Sequence, residues 1–500
     1  MKTQYLLLAL LLPICGDIYG QEDFEKYARE QETAFKTYSD HEERDFKEYC
    51  DSINREFGRY LAEAWADCPL EKPKRPIKTP IPPETFDPAK KHPSPVKIPV
   101  KRQIEIPMIP LPATPLPQGN TARPPLPVPP VKGTELKGSF FGTAVVLKKL
   151  DCRFPKLEGI TEKQVATCWN ALSALPHTEW TARMLRLKSA LSLNDWGMYL
   201  LAGNVFNVYC PQGTENEKVI FVVFTLNQLG YKAKIGRTDR KLLPLIAFNC
   251  EVYNATSFVP STERGVRYSI VKLNSTDLTT VQCCLMNHGN AERLVDASIP
   301  EVPRLEADIK EKTLSDGRHN YQLRYNRNLV DFYATVPCIN FSLYAQAALD
   351  KVLWQSIVSQ LQPILQGLSQ EEAVNALLHF VQYAFHYKTD NEQFGYEKWF
   401  FAEETIASSF SDCEDRSILF AQLVRRLLKM PVVLIHYPGR HLATAVCFSN
   451  PATAGDYVTV DGRKYLLCDP TYIGASLGMG MPQLMPVPIE IIKLKKDMDI

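Results

Sequence analysis

Prolines are concentrated in one part of the chain, and they limit how much of it can fold into globular domains. Of the 37 prolines in the 500-residue sequence, 20 lie between Pro69 and Pro130. A segment so rich in proline lacks many of the N–H donors that helices and sheets require. We therefore expect residues 69–132 to form a proline-rich linker, which as extended polyproline would span on the order of 190 Å at ~3.1 Å per residue.

The first twenty residues have the layout of a secretory signal peptide. Lys2 is followed by an apolar run from Tyr5 to Ile14, and a polar segment begins after Gly20. Because this run is too short to span a bilayer, we expect cleavage after Gly20 and no transmembrane segment in the mature protein. The expected location is the periplasm, the cell envelope or the exterior, with lipid attachment at Cys15 as the alternative.

Aromatic residues recur every eleven positions between the signal peptide and the linker. An 11-residue period corresponds to 3.67 residues per turn, so the aromatic pairs form a nearly axial stripe on one long amphipathic helix, predicted for residues 21–68 and ending near Trp65. The stripe needs a partner, and residues 24–65 are expected either to self-associate as a coiled coil or to dock on a surface, including the chain's own globular body. The pairs are Phe24/Tyr27, Phe35/Tyr38, Phe46/Tyr49 and Phe57/Tyr60.

The composition of the remaining chain is that of an ordinary globular protein. The sequence is 45% hydrophobic and 23% charged, with a net charge of +1. No basic patch dominates, so we expect no nucleic-acid partner. Mixed helix and strand patterns predict two α+β domains, at residues 133–305 and 306–500. No metal-ligand spacing or phosphate-binding loop is present, so we predict neither a metal nor a cofactor.

The first of these domains repeats, in weaker form, an arrangement found near the C-terminus. Helix and strand patterns follow one another in the same order in both places, and Asn216 stands where the C-terminal copy has Cys413. We therefore interpret residues 133–305 as a degenerate copy of the C-terminal domain.

Cys413 opens an amphipathic helix in the C-terminal domain. Ser411 and Glu414 have the spacing of a capping box, which would place Cys413 in the first turn. Free backbone N–H groups there favour a thiolate and can stabilise an oxyanion. The carboxylates beside Cys413 oppose thiol ionisation, so activation requires a nearby histidine.

His441 and Asp469 lie at the ends of predicted strands that follow this helix. If the strand starting at His441 pairs antiparallel with the strand ending at Asp469, the two side chains meet and form a Cys-His-Asp site for acyl transfer. A strand pattern at Tyr457–Val460 offers the alternative that this strand lies between them and separates the two residues. His436 is the alternative base.

Three motifs together resemble the core of the transglutaminase-like superfamily, the papain-related cysteine enzymes, in the form found in bacterial envelope members. They are DCEDRSILFAQLVRRLL from Asp412, HYPGRHLATAV from His436 and YLLCDPTY from Tyr465. The resemblance covers about residues 370–475. It implies a papain/transglutaminase-like α+β domain in which a Cys-bearing helix packs on an antiparallel sheet bearing His441 and Asp469. It also implies an oxyanion donor upstream of the cysteine, for which the candidates are Gln393, Tyr396 and Trp399.

Two functions are compatible with this sequence. The first is an exported cysteine acyl-transfer enzyme that acts on a peptide or protein substrate through Cys413, His441 and Asp469. Hydrolysis, as in a protease or amidase, is favoured over transamidation because the resemblance is to bacterial relatives of hydrolase type. The alternative is a non-catalytic scaffold with the same fold that binds peptide or cell-envelope material.

Overall fold

The computed structural model describes residues 45, 48–76, 80–90, 95–105, 129–271 and 278–495. The predicted signal peptide, Cys15 and the first five aromatic residues of the repeat lie outside the described residues. No helix in the described part of the chain is long and apolar enough to cross a membrane.

The chain divides into two compact units, residues 1–56 and residues 57–500. In the first unit, the described backbone is helical at residues 45 and 48–56. In the second unit, residues 57–62 form helix α1. The second unit is a mixed α+β structure. Its other helices are α2 (Glu162–Ser173), α3 (His177–Ala190), α4 (Asp195–Tyr209), α5 (Glu215–Gln228), α6 (Arg327–Tyr333), α7 (Phe341–Ala345), α8 (Lys351–Leu365), α9 (Gln370–Tyr383), α10 (Asp390–Phe394), α11 (Ala402–Ala407) and α12 (Cys413–Leu427).

Twenty strands accompany the helices in the described residues. Those in the first half of the chain are β1 (Ala66–Pro69), β2 (Glu84–Thr85), β3 (Val100–Ile104), β4 (Glu135–Phe140), β5 (Thr143–Lys148), β6 (Ala233–Arg237) and β7 (Leu242–Ala247). The others are β8 (Ser257–Phe258), β9 (Tyr268–Ile270), β10 (Thr280–Cys283), β11 (Ile309–Ser315), β12 (Asn320–Asn326), β13 (His386–Tyr387), β14 (Phe410–Ser411), β15 (Val432–Tyr437), β16 (His441–Val446), β17 (Tyr457–Val460), β18 (Arg463–Cys468), β19 (Tyr472–Ile473) and β20 (Ile489–Lys493).

Two six-stranded sheets dominate the described structure, and their strands follow the same order. The first sheet runs β1-β10-β6-β7-β9-β8, and the second runs β3-β20-β15-β16-β18-β17. In each sheet a helix (α5 or α12) leads into a central hairpin (β6-β7 or β15-β16). The next two strands then pair with each other, and the last strand returns to the other side of the hairpin. The outermost strands differ, because β1 pairs antiparallel and β3 parallel with its neighbour.

The central hairpin of the second sheet is buried on both faces. Successive residues of a strand point to opposite faces; accordingly, Leu434 packs in the large core cluster with α12, and Val433 and Ile435 pack in a second cluster on the other side. Gly439 closes the three-residue turn between β15 and β16 with φ of 78°, a left-handed conformation that glycine adopts without a Cβ penalty. The hairpin therefore fixes His441 at the start of a buried strand.

The proline-rich region is not a free linker along its described length, so that prediction is wrong for residues 80–90 and 95–105. Strand β3 forms the edge of the second sheet, β2 pairs with β19, and Ile98 is buried. Proline is tolerated next to an edge strand because only one side of that strand has to supply N–H donors. The five residues Val100–Ile104 contain no proline and pair with β20. The extended length calculated for the linker does not apply to this part.

The aromatic helix also ends earlier than its pattern predicts. It stops at residue 62 instead of near Trp65, and β1 begins at Ala66 and pairs with β10. The ring of Phe57 contacts Trp169 at a centroid distance of 4.9 Å, and Tyr60 packs against the same core. The last aromatic pair therefore docks on the chain's own body.

The two predicted globular domains share one hydrophobic core. A single cluster of buried side chains includes Trp169 and Phe224 from the first region and Phe332 and Leu419 from the second. Residues 57–500 accordingly form one unit rather than two units that meet near residue 305.

Candidate active site

Cys413 is the first residue of α12, as the sequence predicted, but the cap differs by one position. Asp412 is the N-cap residue, and Asp415 completes the capping box by accepting from the Asp412 backbone N–H at 3.3 Å. Ser411 lies in β14, and its hydroxyl accepts a hydrogen bond from Nε of Arg416. The predicted Ser411/Glu414 box is therefore wrong, because Asp412 has the extended backbone of a cap and its carboxylate competes effectively for this place.

His441 and Asp469 meet through the pairing of their strands. Strands β16 and β18 are antiparallel neighbours, with Thr444 opposite Cys468. Nε2 of His441 lies 2.8 Å from Oδ2 of Asp469, and both side chains are buried. Strand β17 pairs on the outer side of β18, so it does not separate the two residues.

The helix that carries Cys413 packs directly on the strand that begins at His441. The Ser417 hydroxyl donates to the Leu442 carbonyl at 2.8 Å, and the Leu442 backbone N–H forms a hydrogen bond with the Cys413 thiol. Nδ1 of His441 is buried and has no hydrogen-bond partner among the described residues. The sulfur of Cys413 thus lies beside the residue that follows His441, and His441 uses its other nitrogen to bind Asp469.

The surroundings of Cys413 keep its thiol protonated. Its side chain is fully buried, and Sγ donates to Oε2 of Glu414 at 2.9 Å. Burial, followed by the negative charges of Glu414 and Asp412, raises the pKa of the Cys413 thiol well above its usual range. These effects outweigh the helix N-terminus, which alone would lower it.

Three buried carboxylates lie close together next to the cysteine. Asp390, Asp412 and Glu414 each offer an oxygen within 4.8 Å of the other two. Burial, followed by Asp412 and Asp415, raises the pKa of Asp390 to about 11. Oxygen donors in this arrangement are of the kind that could hold a divalent cation. Sequence spacing gave no sign of this group because Asp390 lies far upstream of the other two.

The three candidate oxyanion donors form no hydrogen bond with Cys413 among the described residues. Gln393 donates to the Lys388 carbonyl at 2.8 Å, and Tyr396 is exposed. Trp399 is buried against Phe341, with a ring-centroid distance of 4.2 Å, and its indole N–H has no partner among the described residues. None of the three hydrogen-bonds to Cys413 within the part of the chain that the structure describes, whereas the Leu442 backbone N–H does. Sequence reasoning missed this donor because a backbone amide has no residue signature.

Both ring nitrogens of His436, the alternative base, have hydrogen-bond partners other than Cys413. Its Nδ1 lies 3.0 Å from Oε2 of Glu490, and its Nε2 lies 3.2 Å from the Pro76 carbonyl. Glu490 in turn forms an ion pair with Arg102 at 2.8 Å. His436 therefore belongs to a network that joins β15, β20 and the proline-rich region.

Gln382 of α9 holds the segment after Asp469, and sequence reasoning missed it. Its Nε2 donates to the carbonyls of Asp469, Tyr472 and Ala475 at 3.3, 2.8 and 3.0 Å, and its Oε1 accepts from the Gly474 N–H. The side chain is buried. Its position follows from the packing of α9 near β19, which no local pattern reports.

Parts of the proline-rich region run along the turn that precedes His441. The Pro76 carbonyl accepts from the Gly439 N–H at 2.7 Å, and the Ile81 N–H donates to the Arg440 carbonyl at 3.2 Å. The Ile81 carbonyl also accepts from the Tyr387 hydroxyl at 3.3 Å. Burial and then the charge of Cys413 raise the pKa of Tyr387, so Tyr387 links this segment to the surroundings of the thiol.

Comparisons with known proteins do not place this chain in a family. No protein-family model matches it, and neither the curated proteins nor the solved structures contain a significant match.

Proposed function

We propose that this protein is an exported cysteine acyl-transfer enzyme acting on peptide or amide bonds, with Cys413 as nucleophile, His441 as base and Asp469 as its orienting carboxylate. Hydrolysis is favoured over transamidation. The observation that carries the proposal is the 2.8 Å contact between His441 and Asp469, which leaves Nδ1 of His441 without a partner next to the strand amide that binds the Cys413 thiol.

The residues support the following reaction. His441 takes the thiol proton, and the sulfur attacks the carbonyl carbon of the substrate to form a tetrahedral oxyanion. In this reaction the Leu442 N–H and the first-turn amides of α12 donate to that oxyanion. The C–N bond then breaks, His441 gives its proton to the leaving amine, and a thioester remains. Water attacks the thioester, His441 takes one of its protons, and the acid and the thiol are released.

The architecture agrees with the transglutaminase-like arrangement. A cysteine begins a helix, that helix packs on an antiparallel sheet, and neighbouring strands of this sheet carry the histidine and the carboxylate. We propose that residues 306–500, together with β3, form a domain of this type.

One observation favours the alternative, a non-catalytic scaffold with the same fold. The Cys413 side chain is fully buried, and the Glu414 carboxylate accepts a hydrogen bond from its thiol. Catalysis therefore requires that substrate entry exposes the thiol and that Glu414 gives up this contact, whereas a scaffold requires neither.

Thiol reactivity separates the two functions. The purified protein is treated with iodoacetamide at pH 7.5, and the adducts are mapped by mass spectrometry. If the protein is an enzyme, Cys413 should be alkylated faster than Cys447. Cys447 is also buried, but in the core cluster on the other face of the same sheet. The rate at Cys413 should fall at least tenfold in His441→Ala. Equal rates at the two cysteines, or no effect of His441→Ala, would support the scaffold.

A further inference from the structure

The first sheet contains a site that corresponds to the one at Cys413. In the second sheet, the backbone N–H of Leu442 binds the thiol of Cys413 at the start of α12. In the first sheet, the backbone N–H of Leu242 donates to Oδ1 of Asn216, in the first turn of α5, at 2.9 Å. Leu242 begins β7, which occupies the same place in its sheet as β16. Asn216 is the second residue of its helix, whereas Cys413 is the first. The longer side chain of Asn216 still reaches the N–H of Leu242, which corresponds to the N–H of Leu442.

The chemistry of the two sites differs. A carboxamide is not a nucleophile for acyl transfer, so the site at Asn216 cannot form a thioester. The side chain at the position of His441, directly before Leu242, is Lys241. The first sheet thus has the arrangement of a helix and a strand without the reacting groups.

The site at Asn216 opens into a cavity of about 600 Å³, whereas Cys413 is fully buried. This volume lies within the range of pockets that bind small ligands. Part of its wall is apolar and comes from Phe140, Val222, Leu243 and Val271, all of which are buried.

Several polar groups that line the cavity have no hydrogen-bond partner among the described residues. They include the Tyr199 hydroxyl, Nδ2 of Asn216 and Oδ1 of Asn204, the last of which is itself buried. Burial, followed by Glu215, raises the pKa of Tyr199 to about 12, so its hydroxyl is neutral and can donate. The cavity therefore offers both donors and an acceptor.

The cavity lining carries two lysines and one glutamate. Lys218 lies 3.7 Å from Glu215, which leaves Lys241 as the cation without an ion-pair partner in the part of the chain that the structure describes. The buried oxygen of Asn204 needs a hydrogen-bond donor, which an ionised carboxylate ligand cannot supply. Peptide groups carry one donor and one acceptor each and match this set better.

We propose that this cavity is a non-catalytic peptide-binding site, which holds an uncharged peptide segment through its main-chain amides and places an apolar side chain against the apolar wall. Unlike the proposed reaction at Cys413, this binding requires no thiol chemistry. The two proposals can therefore fail separately.

The binding test uses the full-length mature protein and the capped tripeptide Ac-Ala-Leu-Ala-NH2, titrated by ligand-observed NMR. Two variants address the cavity. Asn216→Leu removes the carboxamide, and Gly203→Met fills space beside Lys218, where a Cβ would meet only the flexible Cε of that lysine, at 3.3 Å. Gly203 lies within α4, so replacing glycine there also favours the helix. Cys413→Ala is the matched control at the other site.

We expect saturable binding that is unchanged in Cys413→Ala and at least fivefold weaker in each cavity variant. Replacing the final alanine of the peptide by lactic acid, which turns one amide into an ester and removes its N–H, should weaken binding by a similar factor. This second measurement does not depend on the folding of any variant. Absence of binding, binding that persists in both cavity variants, equal binding of the ester or loss of binding in Cys413→Ala would each overturn the proposal.

Discussion

Nε2 of His441 and Oδ2 of Asp469 lie 2.8 Å apart, although 27 residues separate them in the chain. The contact results from the antiparallel pairing of β16 and β18, in which the start of one strand lies beside the end of the other. It fixes the imidazole through one nitrogen and leaves Nδ1 without a hydrogen-bond partner among the described residues. The first prediction depends directly on this relationship.

Replacing Asp469 by Asn should reduce amide hydrolysis, and with it the iodoacetamide rate of Cys413, by a factor on the order of 100 or more. A neutral carboxamide does not stabilise the imidazolium that forms when His441 takes the thiol proton. The rates are measured against Asp461→Asn, which changes an exposed carboxylate on the turn between β17 and β18. A variant with the wild-type rate would show that Asp469 has no part in the reaction.

Replacing Gln382 by Leu should lower the free energy of unfolding by about 1–3 kcal/mol. The buried amide makes four hydrogen bonds to the backbone of the segment 469–475, and leucine would leave those groups without partners. Urea denaturation measures the change. Gln370→Leu is the control, because Gln370 makes its hydrogen bonds to Ser449 at the surface. This substitution should lower the free energy of unfolding by less than about 1 kcal/mol. Equal effects of the two substitutions would contradict the expected role of Gln382.

Acid should destabilise the protein through His288. Burial and then the neighbouring His177 lower the pKa of His288 to about 4, and Nδ1 accepts from the Asn290 N–H. A histidine with a folded pKa below the unfolded value of ~6.5 binds more protons in the unfolded state. The contribution of His288 to the free energy of unfolding is therefore complete above about pH 6.5 and is lost as the pH falls toward 4. This loss is at most about 3 kcal/mol.

The measurement is the free energy of unfolding between pH 7 and pH 4 for wild type and His288→Gln. The variant should lose less stability over this range than the wild type. His319→Gln, which changes a half-exposed histidine, should follow the wild-type curve. Identical slopes for wild type and His288→Gln would exclude this origin of acid sensitivity.

Cys68 and Cys283 should form a disulfide when the protein is oxidised. Their sulfur atoms lie 3.3 Å apart on the neighbouring strands β1 and β10, and a hydrogen bond from the Cys283 thiol lowers the pKa of Cys68. With oxidised glutathione, the two thiols are converted to one disulfide while two molecules of glutathione are released. The bond closes a long loop, so we expect a stabilisation of about 2–4 kcal/mol.

Peptide mapping under non-reducing conditions identifies the linked cysteines, and thermal denaturation measures the stabilisation. Cys68→Ser should abolish both the linkage and the stabilisation. The adjacent Cys284 serves as the internal control, because its thiol donates to the Tyr60 carbonyl. A linkage through Cys284 instead of Cys283 would contradict the prediction.

Several parts of the site could be predicted from local sequence alone. The amphipathic pattern after Cys413 predicted α12 and the place of the cysteine in its first turn, and alternation predicted the strands that begin at His441 and end at Cys468. These features depend on residues within a few positions of each other, so the sequence reports them directly. The same reasoning misplaced the cap by one residue, because Ser411 and Asp412 are both good caps and Ser411 instead lies in β14, where it pairs with Tyr387 of β13.

Other features depended on contacts between residues far apart in the chain. Proline content predicted a linker, yet the proline-free stretch Val100–Ile104 pairs with β20, almost 400 residues later. The buried state of Cys413 and the hydrogen bonds of Gln382 also depend on how distant segments pack.

The sequence by itself determined that Cys413 begins a helix, that strands begin at His441 and end at Cys468, and which side chains could carry chemistry, because these depend on local spacing and side-chain type. Only the tertiary structure decided that β18 pairs directly with β16, that the two sheets share one strand order, and that the Cys413 thiol is fully buried. The physical reason is that strand pairing joins residues across long stretches of chain, and its free energy depends on the packing of the whole sheet rather than on any local pattern.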